Sequence, residues 1–200
     1  MRFLVISDTH GLFQSIYERN KEKLTGIDQV ILLGDHSYTD VAQILDIWGL
    51  EKCMGVYGNH DTPNTYKNVH CFDHELVEPG FTYTGLNGSH RYKPTQIFGY
   101  SQQESIDAAK SLPKADVLFS HDGTYNADKD EAHCGLNGIT WYIKANNPKA
   151  VIFGHLHKPS HDTVSSMFNK ETEVYCVYQM ALVDFNEDGT VQKLEQLETI

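Results

Sequence analysis

The chain has 200 residues, a length that fits one domain with a substantial core. Its apolar share of 40% and charged share of 22% are ordinary for a soluble globular protein. The net charge of −11 argues against non-specific nucleic-acid binding, which depends on clustered lysine and arginine, and no apolar run approaches the ~20 residues of a membrane span.

The N-terminal part of the chain predicts a parallel sheet. Apolar runs of strand length alternate there with segments whose apolar residues recur at helical spacing. Strand, helix, strand, helix, strand in this order is typical of βαβ units. The expected strands cover residues 2–7, 29–33 and 52–57, and the expected helices cover residues 13–24 and 40–48.

The rest of the chain is expected to mix strands and helices. Residues 62–80 look irregular, because they contain Pro63 and the Pro79-Gly80 pair. The sequence shows no repeat, low-complexity segment or linker, so we expect one domain over residues 1–200. The remaining predicted strands are 81–86, 95–100, 116–120, 150–154, 173–186 and 190–197, and the remaining predicted helices are 102–112 and 136–145.

Five short polar segments carry the candidate chemistry. Four of them directly follow apolar runs that predict buried strands, and the third in chain order follows the looser run 53–57. Polar residues at strand ends are where an open α/β sheet places its ligand site. The segments are Asp8-Thr9-His10, Gly34-Asp35, Gly58-Asn59-His60-Asp61, Ser120-His121 and Gly154-His155-Leu156-His157.

The residue types in these segments favour a metal site. Carboxylates, imidazoles and one amide suit divalent Mn, Fe, Zn, Ni or Co better than Ca or Mg. Asp35 could bridge two cations with one oxygen each, cap the helix that follows, or do both. The spacing of His155 and His157, after a glycine, suits two adjacent metals.

The third segment also predicts an acid. Asn59 offers a neutral oxygen to a metal, and the adjacent His60 side chain diverges from it. His60 is therefore better placed as a proton donor to a leaving alkoxide outside the metal ligands. Asp61 could orient that imidazole, as carboxylates do in catalytic histidine pairs.

Taken in order, the five segments resemble the pattern of the calcineurin-like metallophosphoesterase superfamily, D-x-H, G-D, G-N-H-[DE], H and G-H-x-H. The resemblance runs from residue 8 to residue 157. It implies an α/β fold with a four-layer α/β/β/α sandwich and two divalent metal ions, with Mn favoured over Fe, Zn, Ni or Co. It also implies that Asp8, His10 and His157 hold one metal, that Asp35 bridges, and that Asn59, His121 and His155 hold the other.

The pattern separates this chain from one branch of that superfamily. Ser/Thr protein phosphatases usually read G-D-x-V-D-R-G at the second segment, and this chain has no arginine there. Compact bacterial and phage phosphodiesterases are more similar, although they often carry a cysteine where this chain has His60. The retained histidine favours hydrolysis over a scaffold role.

The sequence therefore predicts a dimetal-dependent phosphoesterase, with a phosphodiesterase on a small or nucleotide-like substrate favoured. A metal-bridging hydroxide would be the nucleophile and His60 the outer-shell acid. The alternatives are a phosphomonoesterase on nucleotides or metabolites, a nuclease, and a non-catalytic binding module such as the retromer subunit that shares the fold.

Two further side chains are candidates for substrate binding. Arg91 could clamp a phosphate, with a solvated surface arginine as the alternative. His36, next to Asp35, could line the pocket. The expected partner is a small phosphoester substrate, with nucleic acid as a less favoured substrate and no membrane.

Cysteine usage predicts the compartment. None of the four cysteines forms a CxxC pair, and a chain of this length does not need disulfides. The N-terminus runs directly into a short apolar strand, without a long hydrophobic signal region. We expect free thiols and a cytoplasmic location, and the sequence leaves the oligomeric state open. The cysteines are Cys53, Cys71, Cys134 and Cys176.

Overall fold

The computed structural model describes residues 1–78 and 80–200, and within them the chain forms two main sheets flanked by helices. The helices are α1 (Phe13–Asn20), α2 (Tyr38–Trp48), α3 (Gln102–Ser111) and α4 (Asn137–Asn146). The strands are β1 (Arg2–Ser7), β2 (Gln29–Leu32), β3 (Cys53–Gly55), β4 (His70–Cys71), β5 (Tyr83–Leu86), β6 (Ser89–His90), β7 (Gly99–Tyr100), β8 (Val117–Ser120), β9 (Ala150–Phe153), β10 (Ser160–Ser165), β11 (Glu171–Cys176), β12 (Gln179–Phe185) and β13 (Val191–Gln196).

Both main sheets have a parallel centre. The first sheet has the order β13-β12-β1-β2-β3-β4, in which β1 to β4 are parallel and β12 and β13 are antiparallel additions. The second sheet has the order β10-β11-β9-β8-β5, in which only the β10 pairing is antiparallel. The carboxyl ends of β1, β2 and β3 therefore meet at one edge, as do those of β8 and β9.

Alternating side chains of β1 explain why the sheets are covered on both faces. Phe3 and Val5 lie in a core shared with residues of the second sheet, such as Phe119. Leu4 and Ile6 lie in a separate core against α1 and α2. Strands buried on both faces read as continuous apolar runs, which is the pattern that β1 shows in the sequence.

The second sheet has the same arrangement. Val117 and Ile152 face the core between the sheets. Leu118 and Val151 face α3 and α4 and pack in a cluster that includes Ile139. The result is two helices, two sheets and two helices in layers, and the mixed α/β class expected from the sequence is confirmed.

Two expected strands differ from the structure, and a strand of six residues was not expected. Residues 173–186 form two strands in different sheets, because the chain crosses over between Cys176 and Gln179. Only Gly99 and Tyr100 of the expected strand 95–100 are extended in a sheet. The strand β10 was missed because its side chains are polar and mostly exposed. Pro79, within the segment 62–80 that is expected to be irregular, lies outside the described residues.

Two findings concern cysteines and membranes. The four cysteines are free thiols, three of them buried and Cys71 partly exposed. Within residues 1–78 and 80–200, no helix combines the length and the apolar character that crossing a membrane would take.

Candidate metal centre

The strand ends bring six of the expected metal ligands into two groups. Donor atoms of Asp8, His10 and His157 lie within 4.8 Å of one another, and the same holds for Asp35, His121 and His155. The first group combines a buried carboxylate with two exposed imidazoles, and the second is buried throughout. Carboxylate and imidazole donors in such groups suit a divalent transition metal.

The first group contains a candidate metal-ligating atom that receives no hydrogen bond from the protein. Asp8 Oδ1 is buried and accepts no hydrogen bond, although an orphaned buried carboxylate oxygen is costly. His157 Nε2 lies 3.4 Å from this oxygen, and His10 Nε2 lies 3.2 Å from His157 Nε2. A cation would satisfy all three atoms, so this donor set fits a metal ion.

Hydrogen bonds to the backbone orient the imidazoles of the second group. His121 Nδ1 donates to the carbonyl oxygen of Leu33 at 2.7 Å, which aims Nε2 at Asn59 Oδ1 at 2.8 Å and Asp35 Oδ2 at 3.5 Å. Burial opposes the charged ring, but the Asp35 and Asp8 carboxylates raise the pKa of His121, so without a cation Nε2 carries a proton and donates to Asn59 Oδ1. A cation in place of that proton would be held by Nε2 and both oxygens, so the set fits a metal ion and places the expected ligand Asn59 beside the group.

His155 is oriented by the opposite ring nitrogen. Its Nε2 lies 2.7 Å from the carbonyl oxygen of Ala132, which leaves Nδ1 as the free donor to a metal. Burial lowers the pKa of His155, so the neutral, ligating form is favoured. The backbone N–H of His155 also donates to Asp8 Oδ2 at 2.8 Å, which ties the two groups together.

Asp35 lies between the two groups, and one of its two carboxylate oxygens, Oδ2, faces histidines of both groups. Its Oδ1 accepts a hydrogen bond from the His60 backbone N–H at 2.8 Å. Its Oδ2 lies 3.5 Å from His121 Nε2 and 4.0 Å from Nε2 of both His10 and His60. Oδ2 is therefore the oxygen that faces both groups, and Oδ1, which accepts one backbone hydrogen bond, keeps a second lone pair. One oxygen per cation stays a prediction.

Backbone conformation marks the same residues. Five expected ligands adopt the left-handed region, with φ between +44° and +67°, where non-glycine residues are uncommon. Such conformations cost about 1–3 kcal/mol each and concentrate at functional sites. The left-handed backbone at the strand ends thus points these side chains in directions that an ordinary β or α conformation would not allow. The five residues are Asp8, His10, Asp35, His155 and His157.

Two glycines allow the loops to approach. A Cβ at Gly58 would overlap Asp35 Oδ1, and a Cβ at Gly154 would overlap Ser7 Oγ and lie 2.7 Å from Asp8 Oδ2. The glycines that precede Asn59 and His155 are therefore steric requirements of this arrangement.

His60 lies at the edge of the centre. Its side chain is 52% exposed, and its Nε2 is 4.0 Å from Asp35 Oδ2. Burial lowers its pKa, the neighbouring His10 and Lys93 lower it further, and Asp35 opposes them. His60 is therefore a half-exposed side chain beside the two groups, and its role as a proton donor stays a prediction.

Asp61 has a different role from the one expected. The carboxylate is 3% exposed and accepts hydrogen bonds from the backbone N–H groups of Gly58, Asp35 and His36 at 2.7, 2.9 and 3.1 Å. Burial raises its pKa to about 6, and its amide donors oppose that effect. Asp61 therefore joins the second and third segments and does not orient the His60 imidazole.

His36 and Arg91 are also placed differently. His36 is buried with Nδ1 2.7 Å from Thr9 Oγ1, so it supports the first loop and does not line an open pocket. Burial lowers its pKa to about 4. Arg91 pairs with Glu104 at 3.0 Å and donates to the Gly99 carbonyl at 2.6 Å. Both contacts are made by Nη2 and hold the guanidinium against Gly99 and Glu104, which disfavours the phosphate clamp.

Sequence reasoning missed three residues that the structure brings to the centre. Asp40 accepts hydrogen bonds from Thr9 Oγ1 and the Gly11 backbone, and so holds the first loop. Tyr92 accepts one from the Asn59 amide at 3.1 Å, and Lys93 lines a cavity beside His60. The Ser37-x-x-Asp40 capping box is a sequence signal that could have pointed to Asp40. No sequence pattern indicated Tyr92 or Lys93.

Comparison with known proteins concerns the sequence and the fold. The sequence model of the calcineurin-like phosphoesterase superfamily domain matches residues 1–176. No curated protein matches the chain. One crystal structure superposes with a TM-score of 0.64 at 16% identity, covering 98% of this chain and 99% of the other.

Two Vps29 structures are also similar. Wild-type Vps29 from Entamoeba histolytica, complexed with zinc, superposes with a TM-score of 0.51 at 16% identity over 98% of this chain and 97% of the other. Vacuolar Protein Sorting 29 from Cryptosporidium parvum gives 0.50 at 10% identity over 99% and 98%. At these identities the likeness concerns the fold.

Proposed function

The chain belongs to the calcineurin-like phosphoesterase superfamily, and from that premise we propose that it is a dimetal-dependent phosphoesterase. More narrowly, we propose a phosphodiesterase that acts on a small or nucleotide-like substrate. The proposed ligands are Asp8, His10 and His157 for one ion, Asn59, His121 and His155 for the other, and Asp35 between them.

The convergence of metal-type donors carries this proposal. Asp8 Oδ1 is buried without a hydrogen bond, and His121 Nε2 faces Asn59 Oδ1 and Asp35 Oδ2. A structural role would leave the buried Asp8 oxygen unsatisfied, whereas a bound cation would satisfy it and would take the place of the proton between His121 and its oxygens.

The metal ions, His60 and Asp61 each have a separate role in the proposed reaction. When bound, two divalent ions supply an acidified water as nucleophile and positive charge for the phosphoryl oxygens. His60 donates a proton to the leaving oxygen, and the negative charge of a bound phosphoester favours its protonated form. Asp61 holds the loops that carry Asp35 and Asn59 in register through its backbone hydrogen bonds.

The arginines support a diester over a monoester. The sequence contains three, and none is free at the centre: Arg2 pairs with Asp184, Arg19 donates to the Thr199 carbonyl, and Arg91 pairs with Glu104. A doubly charged phosphomonoester is well matched by a bidentate guanidinium, and a singly charged diester needs it less.

We also propose that the protein works in the cytoplasm, with Mn as the preferred metal. The free thiols of Cys53, Cys71, Cys134 and Cys176 support a reducing compartment. The mixed nitrogen and oxygen donor set supports a transition metal, among which Fe, Zn, Ni and Co are the alternatives.

Parallel assays test the proposal. Metal-reconstituted protein is expected to hydrolyse bis(p-nitrophenyl) phosphate with a higher kcat/KM than p-nitrophenyl phosphate. A preference for the monoester would replace the diesterase with a phosphomonoesterase. Stoichiometric metal binding without turnover of either ester would favour a binding module of the same fold.

A further inference from the structure

A cavity of about 250 Å³ opens directly beside His60. One wall is the third segment, with Asn59 and His60, and the other is the loop of residues 91–98, here called the 91–98 loop. Because His60 is the proposed acid for the leaving oxygen, the group that leaves must lie on this side of the centre. The 91–98 loop therefore faces the leaving group.

Side-chain bonds give the 91–98 loop a fixed shape. Gln96 Nε2 donates to Ser89 Oγ at 3.0 Å and to the Phe98 carbonyl at 3.1 Å. Phe98 stacks on Tyr57, with ring centroids 4.3 Å apart and planes 4° from parallel. A loop held in this way presents its side chains in a defined geometry, as a recognition element requires.

Tyr92 connects the 91–98 loop to the metal centre. Its hydroxyl accepts a hydrogen bond from Asn59 Nδ2 at 3.1 Å, which turns Asn59 Oδ1 towards His121. Tyr92 is therefore a positioning residue for Asn59. The same bond fixes the distance between the loop and the proposed ligands.

Lys93 is the cation that the loop offers to the cavity. In the part of the chain that the structure describes, its Nζ makes no ion pair, and it lies 4.7 Å from the Tyr92 ring centroid. The neighbouring Arg91 is paired with Glu104 at 3.0 Å. The 58% exposed side chain of Ile97 adds an apolar surface to the same cavity.

We propose that Lys93 binds an anionic group on the leaving-group side of the substrate. The preferred phosphoester then carries a second negative charge, a phosphate or a carboxylate, on an apolar or planar leaving group that contacts Ile97. This inference rests on the proposed phosphoesterase function and narrows its substrate class.

Three aryl esters with one common half test this specificity. They are methyl 4-nitrophenyl phosphate and its 3-carboxy and 3-phosphonomethyl derivatives. The ratio of kcat/KM for a charged ester to that for the neutral ester is measured in the wild type, in Lys93→Gln and in Lys170→Gln. Lys170 is an exposed lysine outside the cavity, so it provides the matched control. Comparing ratios cancels the intrinsic reactivity of each ester.

We expect this ratio to be about fivefold higher in the wild type than in Lys93→Gln, the size of a good partly exposed ion pair. Lys170→Gln is expected to match the wild type. A larger effect for the phosphonate than for the carboxylate would identify a phosphorylated leaving group. Equal ratios in the wild type and Lys93→Gln would overturn the inference.

Binding of the released phenol gives a readout that does not depend on turnover. Backbone amide NMR shifts are followed as 5-hydroxy-2-nitrobenzoate or 4-nitrophenol is added to the metal-loaded protein. The carboxylate is expected to shift amides of the 91–98 loop with a Kd about fivefold lower than in Lys93→Gln. Lys93-dependent binding of the carboxylate without hydrolysis of any ester would contradict the proposed function and would still support Lys93 as an anion site. No shift in the loop would overturn the inference.

Discussion

The Nε2 atoms of His10 and His157 face each other at 3.2 Å, although the two rings come from opposite ends of the chain. In the absence of a cation, one of these nitrogens has to donate to the other, and Asp8 Oδ1 beside them stays without a partner. The folded chain therefore concentrates unfavourable contacts that a bound metal relieves, and the stability of the protein should depend on metal.

Metal addition is expected to raise the free energy of unfolding. Saturation of metal-stripped protein with Mn²⁺ at 100 times its Kd stabilises the fold by ~2.7 kcal/mol per site, if the unfolded chain does not bind it. Urea unfolding with and without Mn²⁺ measures the effect. The isosteric Asp8→Asn variant should lose most of the gain from the first site. Equal midpoints with and without metal would contradict this prediction.

Replacing His60 should affect the chemistry and leave metal binding intact. Its side chain is 52% exposed and lies outside both groups of donors. In His60→Ala, kcat should fall by roughly 10²–10⁴ for a dialkyl phosphate, whose P–O bond breaks to release an alkoxide, because a basic alkoxide needs a proton to leave. The loss should be much smaller for a 4-nitrophenyl ester.

Two controls complete the His60 test. Metal content by atomic emission should equal that of the wild type, and His70→Ala, another exposed histidine, should keep full activity. Equal losses for both leaving groups would show that His60 does not act as the acid.

Replacing Asp61 should lower stability. In Asp61→Asn one carboxylate oxygen becomes an N–H donor that must face another buried donor, either Gly58 and Asp35 or His36. An unsatisfied buried group of this kind costs about 2 kcal/mol. Urea unfolding in the presence of EDTA measures the loss apart from metal, and exposed Asp46→Asn is the control. Unchanged stability with an altered pH–rate profile would restore Asp61 as a partner of His60.

The His74 imidazole should make stability depend on pH. Its Nδ1 lies 3.1 Å from Asp73 Oδ1 and its Nε2 lies 3.2 Å from the Ala108 carbonyl, so both nitrogens have a partner only in the imidazolium form. The hydrogen bond with Asp73 raises the pKa of His74 above its ordinary value of 6.5. The stabilisation is therefore full below that value and is lost as pH rises through the folded pKa.

His74→Asn is the suitable replacement, because asparagine tolerates the residue's φ of +59°. The difference in unfolding free energy between the wild type and this variant is expected to be larger at pH 5.5 than at pH 8.5. It should stay within about 1 kcal/mol, since the pair is partly exposed. A difference that grows with pH would contradict the assigned direction.

The elements that the sequence predicts well are those with a local cause. Strand β1 is a continuous apolar run because both of its faces are buried, and α2 has its helical face and capping box in the sequence. The candidate ligands were found for the same reason. Asp8, Asp35 and His121 each follow such a run, and carboxyl ends of neighbouring parallel strands meet at one edge.

The elements that the sequence does not predict depend on distant contacts. Residues 173–186 read as one strand because the change of sheet after Cys176 has no glycine or proline to mark it. Asp61 was assigned to its chain neighbour His60, but its partners are the backbone amides of Asp35 and His36, about two dozen positions away. Adjacency in sequence says little about the partner of a buried carboxylate.

The substrate side shows the same limit. Arg91 and Lys93 stand two positions apart in one loop, and nothing local indicates which of them is free. The distant Glu104, at the start of α3, decides by pairing with Arg91. The position of Lys93 in the cavity beside His60 could therefore be recognised only in the folded chain.

The central claim is that two bound divalent ions make this centre a phosphodiesterase. Its most direct test is a titration of metal-stripped protein with Mn²⁺, with hydrolysis of bis(p-nitrophenyl) phosphate followed at each addition and His60→Ala run in parallel. We expect turnover that rises to a plateau at two ions per chain and is only modestly reduced in the variant, because 4-nitrophenolate leaves without needing a proton. Two ions bound with no turnover in the wild type would contradict it.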